Sequence, residues 1–158
     1  MNTTDHMKSK TYTKFVLMLV ASFVCMYITM YLNTYEIDHI YFSLTRFYMS
    51  CLGISTMAII MFVAMRSMYK NKKKNIAIVL TSILLFMTAL ILVRKQGPII
   101  GDVLWLKAMI PHHSIAILTS ERADIQDPEV KKLSKEIIEA QKKEIIEMKA
   151  MIKRLEND

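Results

Sequence analysis

The sequence predicts an all-α protein in which three transmembrane helices are followed by an antiparallel helical hairpin. Three observations predict it. Of 158 residues, 53% are hydrophobic and the mean hydropathy is +0.29, yet 22% are charged, so apolar and charged residues must be segregated. Three uncharged runs occupy the first part of the chain. The remainder is charged and carries helical spacing without β-type alternation.

The first run, Phe15 to Leu32, has eighteen residues; Phe47 to Met65 has nineteen and Ile76 to Val93 eighteen. At about 1.5 Å rise per residue each covers most of a hydrocarbon core roughly 30 Å thick. In lipid the backbone must satisfy its own hydrogen bonds, which makes helices the reading for such runs. The expected division is a three-span membrane region over residues 1–96, with spans at about 15–32, 47–65 and 76–93, and a hairpin domain over 97–158.

Charge assigns a direction. Residues 1–93 hold nine Lys/Arg against three Asp/Glu, and residues 94–158 hold twelve against eleven. Six of the seven net positive charges therefore belong to the membrane region, an excess that points to a bilayer surface and not to nucleic acid. Lys8, Lys10 and Lys14 precede the first run, and Arg66, Lys70, Lys72, Lys73 and Lys74 lie between the second and third. By the positive-inside rule these flanks are cytoplasmic, and three crossings then place the hairpin outside the cytoplasm, in a multi-pass protein of the cell membrane. Arg94 and Lys95 oppose this with two charges against five. Tyr12, Tyr31, Tyr35, Tyr41, Tyr48 and Tyr69 fall near run ends, where an aromatic belt belongs. The first run lacks a small-residue cleavage site and reads as an uncleaved anchor.

Within the runs, Met57, Met61, Met65 and Met68 recur on one helical face, and so do Met26 and Met30. Thioethers are soft ligands suited to Cu(I), which makes a transfer ladder one reading; the other is that Met fills gaps between helices. Cys25 and Cys51 have no CxxC partner and read as small apolar residues. No ionisable residue lies deep in a run, which argues against a proton-driven pump.

After Gln96-Gly97-Pro98 the pattern becomes charged. A first helix is expected from Asp102 to about Ala123, bending at Pro111 or restarting there. A second starts with Asp127 as N-cap, Pro128 in the first turn and Glu129 on the positive end of the dipole, and runs to about Leu155. The short connection makes the pair antiparallel. Heptad-like seams are expected on Trp105, Met109, His112, Ala116 and Thr119 of the first helix. On the second they fall at Ile137, Gln141, Glu144, Met148, Met151 and Leu155.

Those seams carry His112, Met109, Met148, Glu144 and Gln141, with His113 on the adjoining face. Imidazole with thioether suits copper, Cu(I) in particular; Ca²⁺ and Mg²⁺ want more carboxylates, and zinc takes Cys, His or carboxylate. The candidate metal ligands are His112, His113, Met109 and Met148, with Glu144 and Gln141 orienting them. Alternatively His112 and Gln141 only set the register of a buried seam. No Glu-x-x-His motif is present for a di-iron site. Nor is there a Gly-rich phosphate loop, a nucleophile elbow or a paired-carboxylate cleft, so no enzyme is expected. In the loop Asn33–Arg46, Glu36, Asp38 and His39 are expected near the exterior surface; Asp38 and His39, adjacent in sequence, read as ordinary loop residues or as additional ligands.

The stretch from Asp102 through Met109-Ile-Pro-His112-His113 to Ala116, followed by Gln141-Lys-Lys-Glu144-Ile145-Ile-Glu-Met148, resembles a known family, the domain of unknown function numbered 305. The likeness covers about residues 99–155. It implies a ferritin-like fold and an extracytoplasmic role in metal handling, since members are bacterial, often secreted or membrane-attached, and several are associated with copper binding or resistance. Thr119 stands where the family often has a second Met. One hairpin buries little core, so a half-bundle completed by association of two or more copies is expected.

The leading expectation is thus a membrane-anchored protein that binds copper, or silver, for buffering or resistance outside the cytoplasm. A metal-free interaction module of the cell envelope is the alternative, and a transporter would rest on the Met ladder alone.

Overall fold

A computed structural model describes residues 3–97 and 99–157, with side chains from residue 10 onward. The described residues form five α-helices, two 3₁₀ turns and no strand. In chain order these are α1 (Thr3–Thr29), α2 (Leu44–Ala64), α3 (Lys72–Arg94), α4 (Asp102–Arg122) and α5 (Pro128–Leu155), with 3₁₀ turns at Ile37–His39 and Arg66–Met68. Three stretches, Lys10–Thr29, Leu44–Ala64 and Lys72–Arg94, are long and apolar enough to cross a membrane. Contacts divide the chain into two compact units. One comprises residues 1–28 and 47–95; the other joins residues 29–46 to residues 96–158.

The first unit holds the apolar helices. α3 begins at Asn71, whose side chain accepts from the Lys74 N–H at 3.1 Å, covering one of the first-turn donors that have no partner within the helix. The Tyr12 hydroxyl ties α1 to this start: it donates to Asn75 Oδ1 at 2.7 Å and accepts from the Asn71 N–H at 3.0 Å. Around it Tyr12, Phe15, Ala58 and Tyr69 form a small core, with Met61 and Met65 packed against it. Gly53 admits a close approach, since a Cβ there would fall 2.8 Å from the Met26 sulfur. The methionines thus divide. Met26, Met61 and Met65 fill packing space, while Met57 and Met68 are exposed. A cleft among α1, α2 and α3 is lined by Leu19, Phe23, Ser55, Ala58, Ser82 and neighbours, with no methionine.

In the second unit, the segment after α1 is folded by its own polar groups. The expected first span ran to Leu32, but the helix stops at Thr29. The Tyr31 hydroxyl donates to the Tyr41 carbonyl at 2.9 Å and accepts from the Ser43 N–H at 3.1 Å. The Arg46 guanidinium lies 4.3 Å from the centre of the Tyr31 ring and bonds the Met30 carbonyl. Tyr31 and Arg46 thereby close the loop and turn the chain out of helix.

α4 runs unbroken through Pro111, which is fully buried, and does not restart there. The proline removes one backbone donor, and the helix continues across it. α5 starts as expected: the Asp127 carboxylate accepts from the N–H groups of Glu129 and Val130 at 3.0 and 2.9 Å. α4 and α5 pack side by side in opposite senses. Lys107 meets Glu156, His113 meets Glu144, and the Ser134 hydroxyl donates to the Ser120 carbonyl. Their core is Leu106, Ile110 and Ile117 against Ile145, Met148 and Ile152.

This core corrects the expected seam on α4. Trp105, His112 and Thr119 are exposed, and the buried stripe is Leu106, Ile110, Ser114 and Ile117. The helix is turned by about one residue, roughly 100°. Burying aliphatic Leu and Ile in place of an imidazole and a threonine avoids desolvating groups that need partners. On α5 Met148 lies in the core and Gln141 and Leu155 are half-buried, whereas Glu144 and Met151 are exposed.

Candidate metal centre

The turn Met109 to His113 of α4 presents the candidate ligands, and the helix decides how. Nδ1 of His113 lies 2.9 Å from the Met109 carbonyl oxygen one turn back. A carbonyl only accepts, so this nitrogen carries the proton. Nε2 is left facing α5, where a Glu144 carboxylate oxygen lies 2.7 Å away. The His113 side chain is 13% exposed and that of Glu144 is 49% exposed. With its Nδ1 proton committed to a backbone carbonyl, the ring is held in the orientation that metal-ligating histidines commonly adopt. At that separation the contact is a hydrogen bond between the ring and the carboxylate, and a metal ion on Nε2 would take the place of this bond.

The other expected ligands are placed differently. Met109 is half-buried against the core that includes Met148, so both thioethers belong to the apolar layer beside His113. His112 is exposed; its ring centre is 6.2 Å from that of His113 and the planes stand 71° apart. It faces away from the expected seam because one residue step turns the helix by about 100°. Gln141, half-buried on α5, precedes Glu144 by three positions and shares its side of the helix. His113 and Glu144 are therefore brought together, with the Met109 backbone carbonyl behind the ring; the Met109 and Met148 side chains belong to the core, and His112 stands apart.

Ser114, next to His113, is the position that sequence reading missed. It is fully buried, and its hydroxyl accepts from the Tyr35 N–H at 2.7 Å and meets Nδ1 of His39 at 3.0 Å. The Tyr35 hydroxyl reaches Glu121 at 3.1 Å, the Lys149 ammonium reaches Asp38 at 2.5 Å, and Arg46 reaches the Pro111 carbonyl at 3.3 Å. The loop is thus fastened to α4 on either side of the His-His pair and to α5 at Lys149. These contacts tune the loop. Hydrogen bonding to Lys149 holds the Asp38 carboxyl below the usual range. Burial, then the Lys149 charge, pushes His39 down, and the hydrogen bond to Glu121 raises Tyr35. The available signal for Ser114 was a small polar residue four positions after Ile110 and three before Ile117, inside an apolar stripe.

Residues 92–152 match the family described as domain of unknown function 305, the stretch that contains α4 and most of α5. Over 140 residues the chain is 36% identical to an uncharacterized protein of Acanthamoeba polyphaga mimivirus; this covers 87% of the chain and 90% of the viral protein. The likeness to that relative therefore extends into the region of the apolar helices as well. No solved structure matches the chain.

Proposed function

The chain belongs to one family with the mimivirus protein and carries a domain of unknown function 305 at residues 92–152; on that premise we propose a membrane-anchored metal-binding protein that takes Cu(I), or silver, for buffering or resistance. The observation that carries the reading is His113, with Nδ1 committed to the Met109 carbonyl and Nε2 aimed at Glu144. His113 and Met109 are the principal ligands. Met148 is the second thioether, and Glu144 and Gln141 orient the set; His112, exposed and turned away, stands outside it. Thioether sulfur needs no deprotonation and imidazole binds when neutral, so the set suits a soft monovalent ion.

In this reading the second unit lies outside the cytoplasm. Lys and Arg crowd the flanks on the other side; a parity argument adds only that the loop and the hairpin share one side. The loop at Tyr35–His39 precedes α2 and bonds to Ser114, which follows α3. Two crossings between them return the chain to the side it left, as that contact requires. Val130, Leu133, Ile146 and Met151 are exposed on α5 and offer apolar surface for a second copy, which would complete a four-helix, ferritin-like arrangement.

The test is Cu(I) titration of the detergent-purified chain against a competing chelator. Stoichiometric binding that His113→Ala and Met109→Leu each weaken supports the reading. Binding untouched by both moves the site to the membrane methionines. A second reading is favoured by the contact between His113 and Glu144, which also serves as a metal-free tie between helices in an interaction module. In that case His113→Ala lowers stability and the chain binds no Cu(I).

A further inference from the structure

The loop between α1 and α2 carries a constellation that the hairpin site does not use. Side chains three apart eclipse in a 3₁₀ turn, and the turn Ile37–His39, entered from Glu36, brings Glu36 and His39 to one side with Asp38 beside them. One oxygen of each carboxylate lies 3.7 Å from Nε2 of His39. One ligand atom from each of the three residues lies within 4.8 Å of the other two. A separation of 3.7 Å is too long for a hydrogen bond and close to the spacing of donors that share a cation. Bonds of about 2.0–2.2 Å at tetrahedral angles put neighbouring ligand atoms roughly 3.4 Å apart.

A second observation is independent of the acidic pair. The His39 side chain is only 7% exposed, and among the described residues its Nε2 has no hydrogen-bond partner. Nδ1 is held by the fully buried Ser114 hydroxyl, so the ring cannot turn its other nitrogen away. No enclosed side-chain polar atom lacks a partner among the described residues, so Nε2 keeps an opening. His39 lines a cleft of about 270 Å³ together with Tyr35, Glu36, Lys142, Ile145 and Lys149. A buried imidazole aimed between two carboxylates, with a path for entry, points to a cation.

We propose that Glu36, Asp38 and His39 bind a divalent transition-metal ion of the zinc class, with water from the cleft completing its shell. One imidazole nitrogen with carboxylate oxygens is a borderline-to-hard donor set that suits Zn²⁺, Co²⁺ or Mn²⁺. A thioether site selects Cu(I) instead, so the two sites differ in metal as well as in place. They share no ligand, and the inference does not rest on the hairpin reading. Lys149 has a defined part. Its ammonium bonds one oxygen of Asp38 and leaves the other on the His39 side. It keeps Asp38 in place when no metal is bound and opposes the metal by like charge when one arrives.

The experiment uses the full chain in detergent, stripped with a chelator. Zn²⁺ is titrated against a chromophoric competitor, and Co²⁺ binding is followed by its d–d absorption. One equivalent is expected to bind in the wild type and in His113→Ala alike. Glu36→Gln alters an exposed side chain and leaves the fold intact; it is expected to weaken Zn²⁺ by more than about tenfold. Lys149→Gln is expected to tighten it by about three- to tenfold through loss of the opposing charge, a gain that a purely structural lysine would not give. Absence of stoichiometric Zn²⁺ and Co²⁺ binding overturns the proposal. Equal affinity in wild type and Glu36→Gln does the same, as does Zn²⁺ binding that His113→Ala removes. Failure of Cu(I) binding in the hairpin leaves these readouts unchanged, so the two readings fail separately.

Discussion

The two units place their large aliphatic residues differently. In the second, the most enclosed side chains include Ile110 and Ile117 at 0% exposure and Ile145 at 2%. In the first, Leu17, Leu80 and Leu84 are more than half exposed, while Ser50, Ser55, Ser82, Ala58 and Ala89 are buried. Water forces aliphatic carbon inward in the hairpin. In the apolar helices the outer surface is suited to lipid, so small residues take the helix contacts, where they let backbones approach. The same amino-acid types therefore hold different places in one chain according to the solvent each unit meets.

The largest effect that tests this contrast is Ile117→Ala. It removes methyl groups from a fully closed core and should cost about 2–5 kcal/mol, read as a lowered unfolding midpoint of the second unit in detergent. Next is Ser114→Val, which deletes a buried hydroxyl and strands the Tyr35 N–H and a ring nitrogen of His39. We expect a loss of about 1–3 kcal/mol, together with faster amide exchange across residues 33–43. Retained protection there would mean the loop is held by other contacts. Asp127→Ala should cost about 1 kcal/mol through the lost cap, seen as fraying confined to the first turn of α5. Smallest is Leu84→Ala, whose side chain already faces outward; a change within about 0.5 kcal/mol is expected. A Leu84 effect as large as that of Ile117 would break the comparison.

How much was legible varied with the breadth of the pattern. The apolar runs were plain because eighteen uncharged residues in succession admit few structures, and Asp127-Pro128 marked the start of α5 by local chemistry. α4 was misread by one residue. Leu104, Trp105, Leu106, Met109, Ile110, Ile115, Ile117 and Leu118 are apolar nearly all round the helix, so a four-three repeat can be drawn through His112 as easily as through Ile110. The polar residues of α5 narrow its choice, and Met148 is buried as expected there, but Ile145 and Ile152 take the core in place of the neighbouring Glu144 and Met151. For the candidate site, His113 and Glu144 were named from spacing, but their contact across 31 positions was not visible. The links from Ser114 to Tyr35 and His39, across 79 and 75 positions, left no periodic trace at all.

The sequence by itself determined what short-range chemistry determines: which stretches are helical, which can face lipid, where α5 is capped, and that soft and acidic ligands both occur. Only the tertiary structure decided which face of α4 turns inward, and so which histidine of the pair meets Glu144. It alone joined the Glu36–His39 turn to the hairpin. Helical spacing defines neighbours within one element, whereas rotation about a helix axis and the docking of a loop are set by packing between elements distant in the chain.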